Sequence, residues 1–466
     1  MNSAQTDYSA QIADFAANLT LDDIPDDVRT VLPIFILDAF LSILAGVIQP
    51  VLVSAVKAAL QTHGSGEFTA VNNARTSLSG AMLLNGIACG DFELEHVIAN
   101  AHPASAVLPS LLTVATQLHS SGPDFLTAMA VGYEVATRIG AASGHEVEAL
   151  RGFHNPGLNG TIAAATAVGR LLHLNTEKMA NAMGIATSSS GGLMSFVRTG
   201  AMTKRLHPAR AGQLGAEAAF MAKEGIEGPT DILDNALGFF HAFSPHPKRH
   251  ILAQGLKKTW MGARMILKLS PVHAYAQFPV YAINQARSEA ATRLPKPEEI
   301  DSIVVECGPS TAKPSHQIPS PKTLVSAQYS VRFAVAAALA VDLRNPLNMN
   351  DGLLGDSNVL RLAEKTSIKQ VSDDRHDLTA KVIINLANGQ GVHLLASQYP
   401  GLPGTAGYAG AAEDKFQRVT SALQISSKCV QLARNVHGIS SMSDVSEIYD
   451  ELVDMAASAV SKSQRT

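Results

Sequence analysis

Small residues set inside segments of helical period constrain this fold more than any other feature. Apolar positions recur at helical spacing through 8–60, 108–118, 126–142, 162–172, 176–185 and 209–223. Gly and Ala recur within them, as between Gly160 and Gly169. Side chains this small let helix backbones approach closely at a modest propensity cost. With 46% hydrophobic but only 5% aromatic residues, the core suits packed helices better than a sandwich. The fold class read from this is mainly α, a large all-helical domain with a smaller α+β lid domain. Asp22 and Asp23, ahead of Ile24 and Pro25, mark a helix start.

The texture changes after about residue 265. Residues 303–307 form a β-branched run ended by Gly308 and Pro309, and 381–386 and 392–396 are strand-like runs joined across Asn388, Gly389, Gln390 and Gly391, a hairpin signal. Between them, 323–341 reads as one apolar helix. The Gly- and Pro-rich stretch 399–410 reads as a linker, after which 413–460 returns to helix. The expected division is 1–265 plus 400–466 for a discontinuous helical domain, and 266–399 for the lid.

A net charge of -4 gives no global field for nucleic acid or an anionic membrane, so an anionic ligand has to be met by a local basic pocket. Cys89, Cys307 and Cys429 are too far apart for a metal-ligand spacing or a disulfide framework. The longest apolar run, 31–48, carries Pro33 and Asp38 and reads as a buried helix rather than a membrane span. The N-terminus lacks a basic stretch followed by an apolar core, so the expected location is intracellular and cytoplasmic.

Four clusters carry the chemistry. In the first, Asp91, Glu95 and His102 fall within about 40° of one face if the stretch is helical, a carboxylate placed to orient an imidazole. An exposed acidic helix end is the alternative. In the second, 151–157 places His154 in a turn before a helix starting near Thr161, where free N–H groups favour an anion; a plain turn capped by His154 serves equally. The third gathers Lys204, Arg205, His207 and Arg210 around a helix start at Pro208, able to neutralise carboxylates and to stabilise an enolate-like oxyanion. A solvated basic turn is its bland counterpart. The fourth, 268–277, offers His273, Tyr275 and Gln277 to a cleft between domains, against the ordinary reading of a histidine satisfied in the core.

These clusters, in this order, resemble the MmgE/PrpD family, whose members include 2-methylcitrate dehydratase, cis-aconitate decarboxylase and iminodisuccinate epimerase. Ile36, Leu37 and Asp38 through Ala45 and Gly46 resemble its N-terminal helix, and Asp91, Phe92, Glu93, Leu94, Glu95 and His96 its acidic segment, followed by His102, Pro103, Ala104 and Ser105. Gly152, Phe153 and His154 resemble its Gly-Phe-His turn, and Met202 through His207 its Lys-Arg-Leu-His segment. Ala327, Gln328 and Tyr329 resemble a lid helix, and Lys415 with Phe416 a C-terminal helix. The resemblance implies a homodimer with its active site between domains, without metal or organic cofactor. Asp91, His102, His154 and Lys204 would be catalytic. Glu95, Arg205, His207, Arg210, His273, Tyr275 and Gln277 are expected to bind substrate. The chain departs from the family at Leu94, Glu95 and Gln277, where a second acid, Thr and His are usual.

The function expected is a dehydratase-type lyase acting on a small hydroxylated di- or tricarboxylate, similar to 2-methylcitrate dehydratase. Decarboxylation of an aconitate-like acid and epimerisation of an iminodisuccinate-like acid use the same groups. A dimeric binding protein without chemistry is the non-enzymatic alternative.

Overall fold

The computed structural model describes residues 7–98, 100–289, 293–374, 378–396 and 398–464. The expected domain limits at residues 1 and 466 lie outside them. The chain is mainly α-helical with a smaller α+β part.

The helices Asp26–Gly46, Leu78–Gly90, Gly122–Ser143, Asn155–Leu171 and Thr203–Lys223 build the large helical layer. Their small residues sit at helix crossings. A Cβ added at Gly160 would press on Ala106 Cβ, and one at Gly215 on the Thr161 carbonyl. The apolar Asp26–Gly46 helix is long enough to cross a membrane by length and composition, yet most of it is buried in the fold. Its Asp38 explains why: one carboxylate oxygen accepts from Lys415 Nζ at 2.6 Å, and the other lies 2.9 Å from His96 Nδ1. Lys415 belongs to the helix Tyr408–Ala422, so the C-terminal helices pack back on the first ones. Tyr449 does the same, donating to the Thr69 carbonyl at 2.7 Å and accepting from Asn85.

The α+β part holds a four-stranded sheet, β1 (Ile300–Cys307), β2 (Thr366–Gln370), β3 (Ala380–Leu386) and β4 (Gly391–Ala396), in spatial order β2-β1-β3-β4. The expected hairpin is β3–β4, its turn closed by Gly389 at φ 83°. Strand β2 pairs parallel to β1. Its polar sequence Thr-Ser-Ile-Lys-Gln gave no strand signal, because an edge strand with one side in water needs few apolar residues.

Several expectations change. The apolar stretch 323–341 is two helices, Leu324–Tyr329 and Val331–Ala340, broken at Ser330, whose hydroxyl accepts from Phe333 N–H and so starts the second. Residues 399–410 are not a loose linker. Tyr399 is buried and donates to the Leu267 carbonyl at 2.8 Å, and Tyr408 donates to that of Met265 at 2.7 Å. Pro208 is not in a first turn, since its helix begins at Thr203; the proline leaves the Lys204 carbonyl without its helical N–H.

Candidate active site

The described residues of the segment 91–102 form no helix. The preceding helix ends at Gly90, and Glu93 and Asn100 take positive φ of 56° and 63°, which turns the chain sharply. The acidic groups therefore converge through a loop rather than along a helix face. Val97 and Ile266 pair as an isolated antiparallel bridge, with N–H to O distances of 3.1 and 2.9 Å. That bridge carries Lys268 to the loop.

The result is a buried layer of alternating charge. Asp91 pairs with Arg205, which also donates to Gln328 at 3.2 Å. Glu93 pairs with Lys204 and, at 2.8 Å, with Lys268; Lys268 lies 3.3 Å from Glu95. Three carboxylates face three cations, and all six side chains are nearly inaccessible. Burial opposes the charge of Glu95, but Lys268 and His102 outweigh it and hold its carboxyl below the usual range. The layer ends on an imidazole: Glu95 Oε1 lies 2.9 Å from His102 Nδ1. His102 thereby presents Nε2 as its remaining ring nitrogen.

A cavity of about 410 Å³ lies against this imidazole, lined by His102, His145, His154, His273 and His316 with Tyr275, Tyr329, Glu148 and Lys313. Val97, Ile98, Ala101, Met194, Val197 and Ile266 supply its apolar wall. A larger cleft of about 1130 Å³ adjoins it, sharing Ile98, Asn100, His145, Ile266, Tyr275 and Lys313.

Helix starts and backbone pairings place the imidazoles. His154 precedes the helix Asn155–Leu171, which begins six residues before the expected Thr161, and donates its N–H to the Gly192 carbonyl at 2.9 Å. The helix N-terminus holds an anion from its own chain, for Asn155 N–H donates to Glu148 at 3.2 Å. Burial raises the Glu148 carboxyl pKa despite that bond. His273 donates its N–H to the Gln328 carbonyl at 2.8 Å, and its ring lies 4.5 Å from that of Tyr329 and 4.9 Å from that of His316. Burial pushes His154 and His273 well below the usual imidazole range, helped by neighbouring imidazoles and, at His273, by Lys268, Lys204 and Lys313. It pushes His316, beside Lys313, down to about 4. Without a bound anion these three rings are neutral.

Of the residues expected from sequence, His102, His154, His273 and Tyr275 line the cavity. Asp91, Glu95, Lys204 and Arg205 form the charged layer behind it; Lys204 Nζ sits 5.3 Å from the centroid of the Tyr329 ring. Three placements differ from expectation. His207 lies behind His154, with Nδ1 atoms 3.1 Å apart, and lines a different cavity. Arg210 is exposed beside that other cavity and donates to Gln213. Gln277 is buried as a backbone clamp, accepting from Leu269 and Ser270 N–H and donating to the Ser270 and Val272 carbonyls. An amide suits that task because it both donates and accepts.

Sequence reasoning placed Glu93, Lys268 and Tyr329 in its segments without giving them a site role, and it missed Glu148, Lys313 and His316. Lys313 and His316 stand three apart after a proline-flanked turn, a spacing that could have drawn notice. Among the described residues, no group of three His, Cys, Asp or Glu is arranged to hold a metal ion.

Comparison with known proteins fits this geometry. The MmgE/PrpD N-terminal domain matches residues 10–251, and the MmgE/PrpD C-terminal domain residues 270–432. A cis-aconitate decarboxylase-like protein, oryM, of Aspergillus oryzae is 26% identical, covering 94% of this chain and 96% of that protein. The cis-aconitate decarboxylase of Aspergillus terreus is 28% identical over 81% of each chain. The human cis-aconitate decarboxylase is 32% identical over 46% of this chain and 44% of its own. With its N-terminal match alone spanning more than half its length, the chain belongs to the MmgE/PrpD family.

Proposed function

We propose that the chain is a lyase that removes one carboxyl group, as carbon dioxide, from a small unsaturated polycarboxylate of the cis-aconitate type, using its own side chains alone. One arrangement carries the reading: a cavity walled by imidazoles, where His102 is backed by a buried carboxylate while His154, His273 and His316 are kept neutral by burial. The names of the relatives favour decarboxylation over the dehydration expected from the sequence.

An entering polycarboxylate brings negative charge to the neutral imidazoles and to Lys313, and an opposite charge raises imidazole pKa. Binding thus loads the wall with protons. When the bond to the departing carboxylate breaks, carbon dioxide leaves and the electron pair spreads toward the remaining carboxylates, where cations stabilise it. An imidazolium then gives one proton to carbon, and His102 and His154 are the groups assigned to proton transfer. The balance is one proton consumed per carbon dioxide released. Asp91, Glu95, Lys204 and Arg205 hold this wall from behind.

The test is a mass-spectrometric screen of purified protein against cis-aconitate and related di- and tricarboxylates. Loss of carbon dioxide is expected. Loss of water would make the chain a dehydratase, and solvent deuterium gained with no loss an epimerase. Thermal stabilisation by these acids without turnover would make it a binding protein.

A further inference from the structure

The His154–His207 contact separates two cavities. His154 lines the imidazole cavity, whereas His207 lines a second one of about 500 Å³ whose wall includes the exposed residues Leu193, Ser195, Thr203 and Arg210. We propose that His207 is the relay through which His154 exchanges protons with solvent, by way of this second cavity rather than past the bound substrate. The proposal rests on the decarboxylase reading for its demand of one proton per turnover.

The geometry is that of a shared proton. With their Nδ1 atoms 3.1 Å apart, one ring must donate and the other accept, so the neutral pair adopts complementary tautomers. A single extra proton is accommodated on either ring; a second would set N–H against N–H. The backbone fixes the contact, since His154 N–H is bonded to the Gly192 carbonyl and a Cβ at Gly192 would press on the His207 ring. Phe196 closes the remaining side, its ring 5.2 Å from that of His154 and 5.9 Å from that of His207.

The surroundings do not trap the proton. The charged and titratable groups facing the pair are His102 and Glu148 across the substrate cavity, Lys204 from the helix of His207, and Arg210 in the second cavity. Neither ring is hydrogen-bonded to a carboxylate among the described contacts, unlike His102. During turnover, solvent acid protonates His207 Nε2, His207 Nδ1–H passes to His154 Nδ1, and His154 Nε2–H passes to the carbon that has lost carbon dioxide. After product leaves, His154 Nε2 takes a proton from the water that refills the first cavity, the proton on His154 Nδ1 returns to His207 Nδ1, and His207 Nε2–H is released to solvent. This restores the starting tautomers with one proton consumed per turnover. Substrate filling the first cavity does not block this path.

The experiment compares wild type, His207→Gln and His207→Ala. Glutamine keeps a donor for His154 but cannot relay, so kcat should fall roughly 10- to 100-fold with KM within about twofold. His207→Ala should show the same loss, and imidazole added to the buffer should restore its kcat saturably by occupying the vacated site. Full kcat in both variants, or an alanine variant with unchanged melting that imidazole does not rescue, overturns the relay. Independently of turnover, the ¹⁵N-histidine NMR titration of wild type should show His154 and His207 sharing one protonation step, and independent titration overturns it. If wild type releases no carbon dioxide from any acid tried, the decarboxylase reading fails while the NMR result still decides the His154–His207 coupling.

Discussion

Two carboxylate–lysine–imidazole triads lie close together in this molecule and differ in the access of the imidazole and in the second carboxylate, Glu93, that the lysine of one of them also meets. In the first, Asp38 meets Lys415 at 2.6 Å and His96 Nδ1 at 2.9 Å. In the second, Glu95 meets Lys268 at 3.3 Å and His102 Nδ1 at 2.9 Å. Burial opposes the charge on both carboxylates, and in both a lysine and a histidine outweigh it and hold the pKa below its usual range. The difference in access lies at the far ring nitrogen. His96 Nε2 is stopped by the Tyr133 hydroxyl at 3.0 Å, and its side chain is fully buried. His102 borders the cavity, and its side chain is 19% exposed. The same three groups are closed off in one place and border a cavity in the other, so access separates them, and under the proposed function only the second set transfers protons.

The contrast breaks most directly by removing one carboxylate at a time. Asp38→Ala strands Lys415 in the core and should cost about 3–5 kcal/mol of stability, as expected for breaking a buried pair. Glu95→Gln keeps the shape and leaves Lys268 its contact with Glu93, so the melting temperature should move much less. Its loss should appear in kcat, as should that of His102→Asn, by roughly 10²- to 10⁴-fold. Denaturant unfolding and product formation, measured on the same preparations, check the pair. If Glu95→Gln unfolds as readily as Asp38→Ala while its folded fraction turns over normally, both triads are struts.

The contrast also shows what the sequence could and could not reveal. The helices and the β3–β4 hairpin were legible because their signals are local: apolar period, Ala and Gly content, Asn and Gly at a turn. His102 and His154 were legible from nearby turn residues and the family pattern. The charged layer was not, because its pairings span long separations; Asp91 and Arg205 are 114 residues apart, and Glu93 and Lys268 175. Two neighbouring histidines, His96 and His102, look alike in the chain, and only the fold shows that Tyr133 closes one of them. Asp38 matched the family helix as part of an apolar run, yet its reason for being there is a lysine 377 residues away.

Acid titration separates the two kinds of group over different pH ranges. Above pH 6.5 the neutral cavity imidazoles cost nothing, because neither the folded nor the unfolded chain protonates them. Below 6.5 the unfolded chain takes up protons that the folded chain refuses, so stability falls as pH falls, for His316 until it titrates at about 4 in the folded chain. That one group is worth about 3 kcal/mol across the window, with His154 and His273 adding in the same direction. The Asp38 and Glu95 carboxylates act lower: their contribution is complete above the unfolded carboxylate pKa and is lost as pH drops through the depressed folded values. His316→Phe should therefore reduce the loss between pH 6.5 and 4, where His154 and His273 still contribute, and leave the loss at lower pH. Urea unfolding at several pH values measures this, and an unchanged slope in the variant would show that His316 is charged in the folded protein.

The smallest effects belong to residues with suitable chemistry but no opening onto the imidazole cavity, and they extend the lesson of the Asp38 triad. Gln277 lines a separate cavity with Tyr281, Arg344 and Arg418, and its amide is occupied by the backbone at residues 269–272. Gln277→Ala should lower stability by about 2 kcal/mol, because buried N–H groups at Leu269 and Ser270 lose an acceptor, without a direct effect on substrate affinity. Tyr399 remains as a second acceptor for the Leu269 N–H, which keeps the cost below that of Asp38→Ala. Arg210 is exposed, lies outside the imidazole cavity and bonds only Gln213 among the described contacts, so Arg210→Ala should leave stability within about 0.5 kcal/mol and KM within about twofold. Steady-state kinetics and thermal melting of the two variants measure both quantities. A tenfold rise in KM for Arg210→Ala would mean that substrate carboxylates reach the second cavity, and would move the site to the His207 side of the wall.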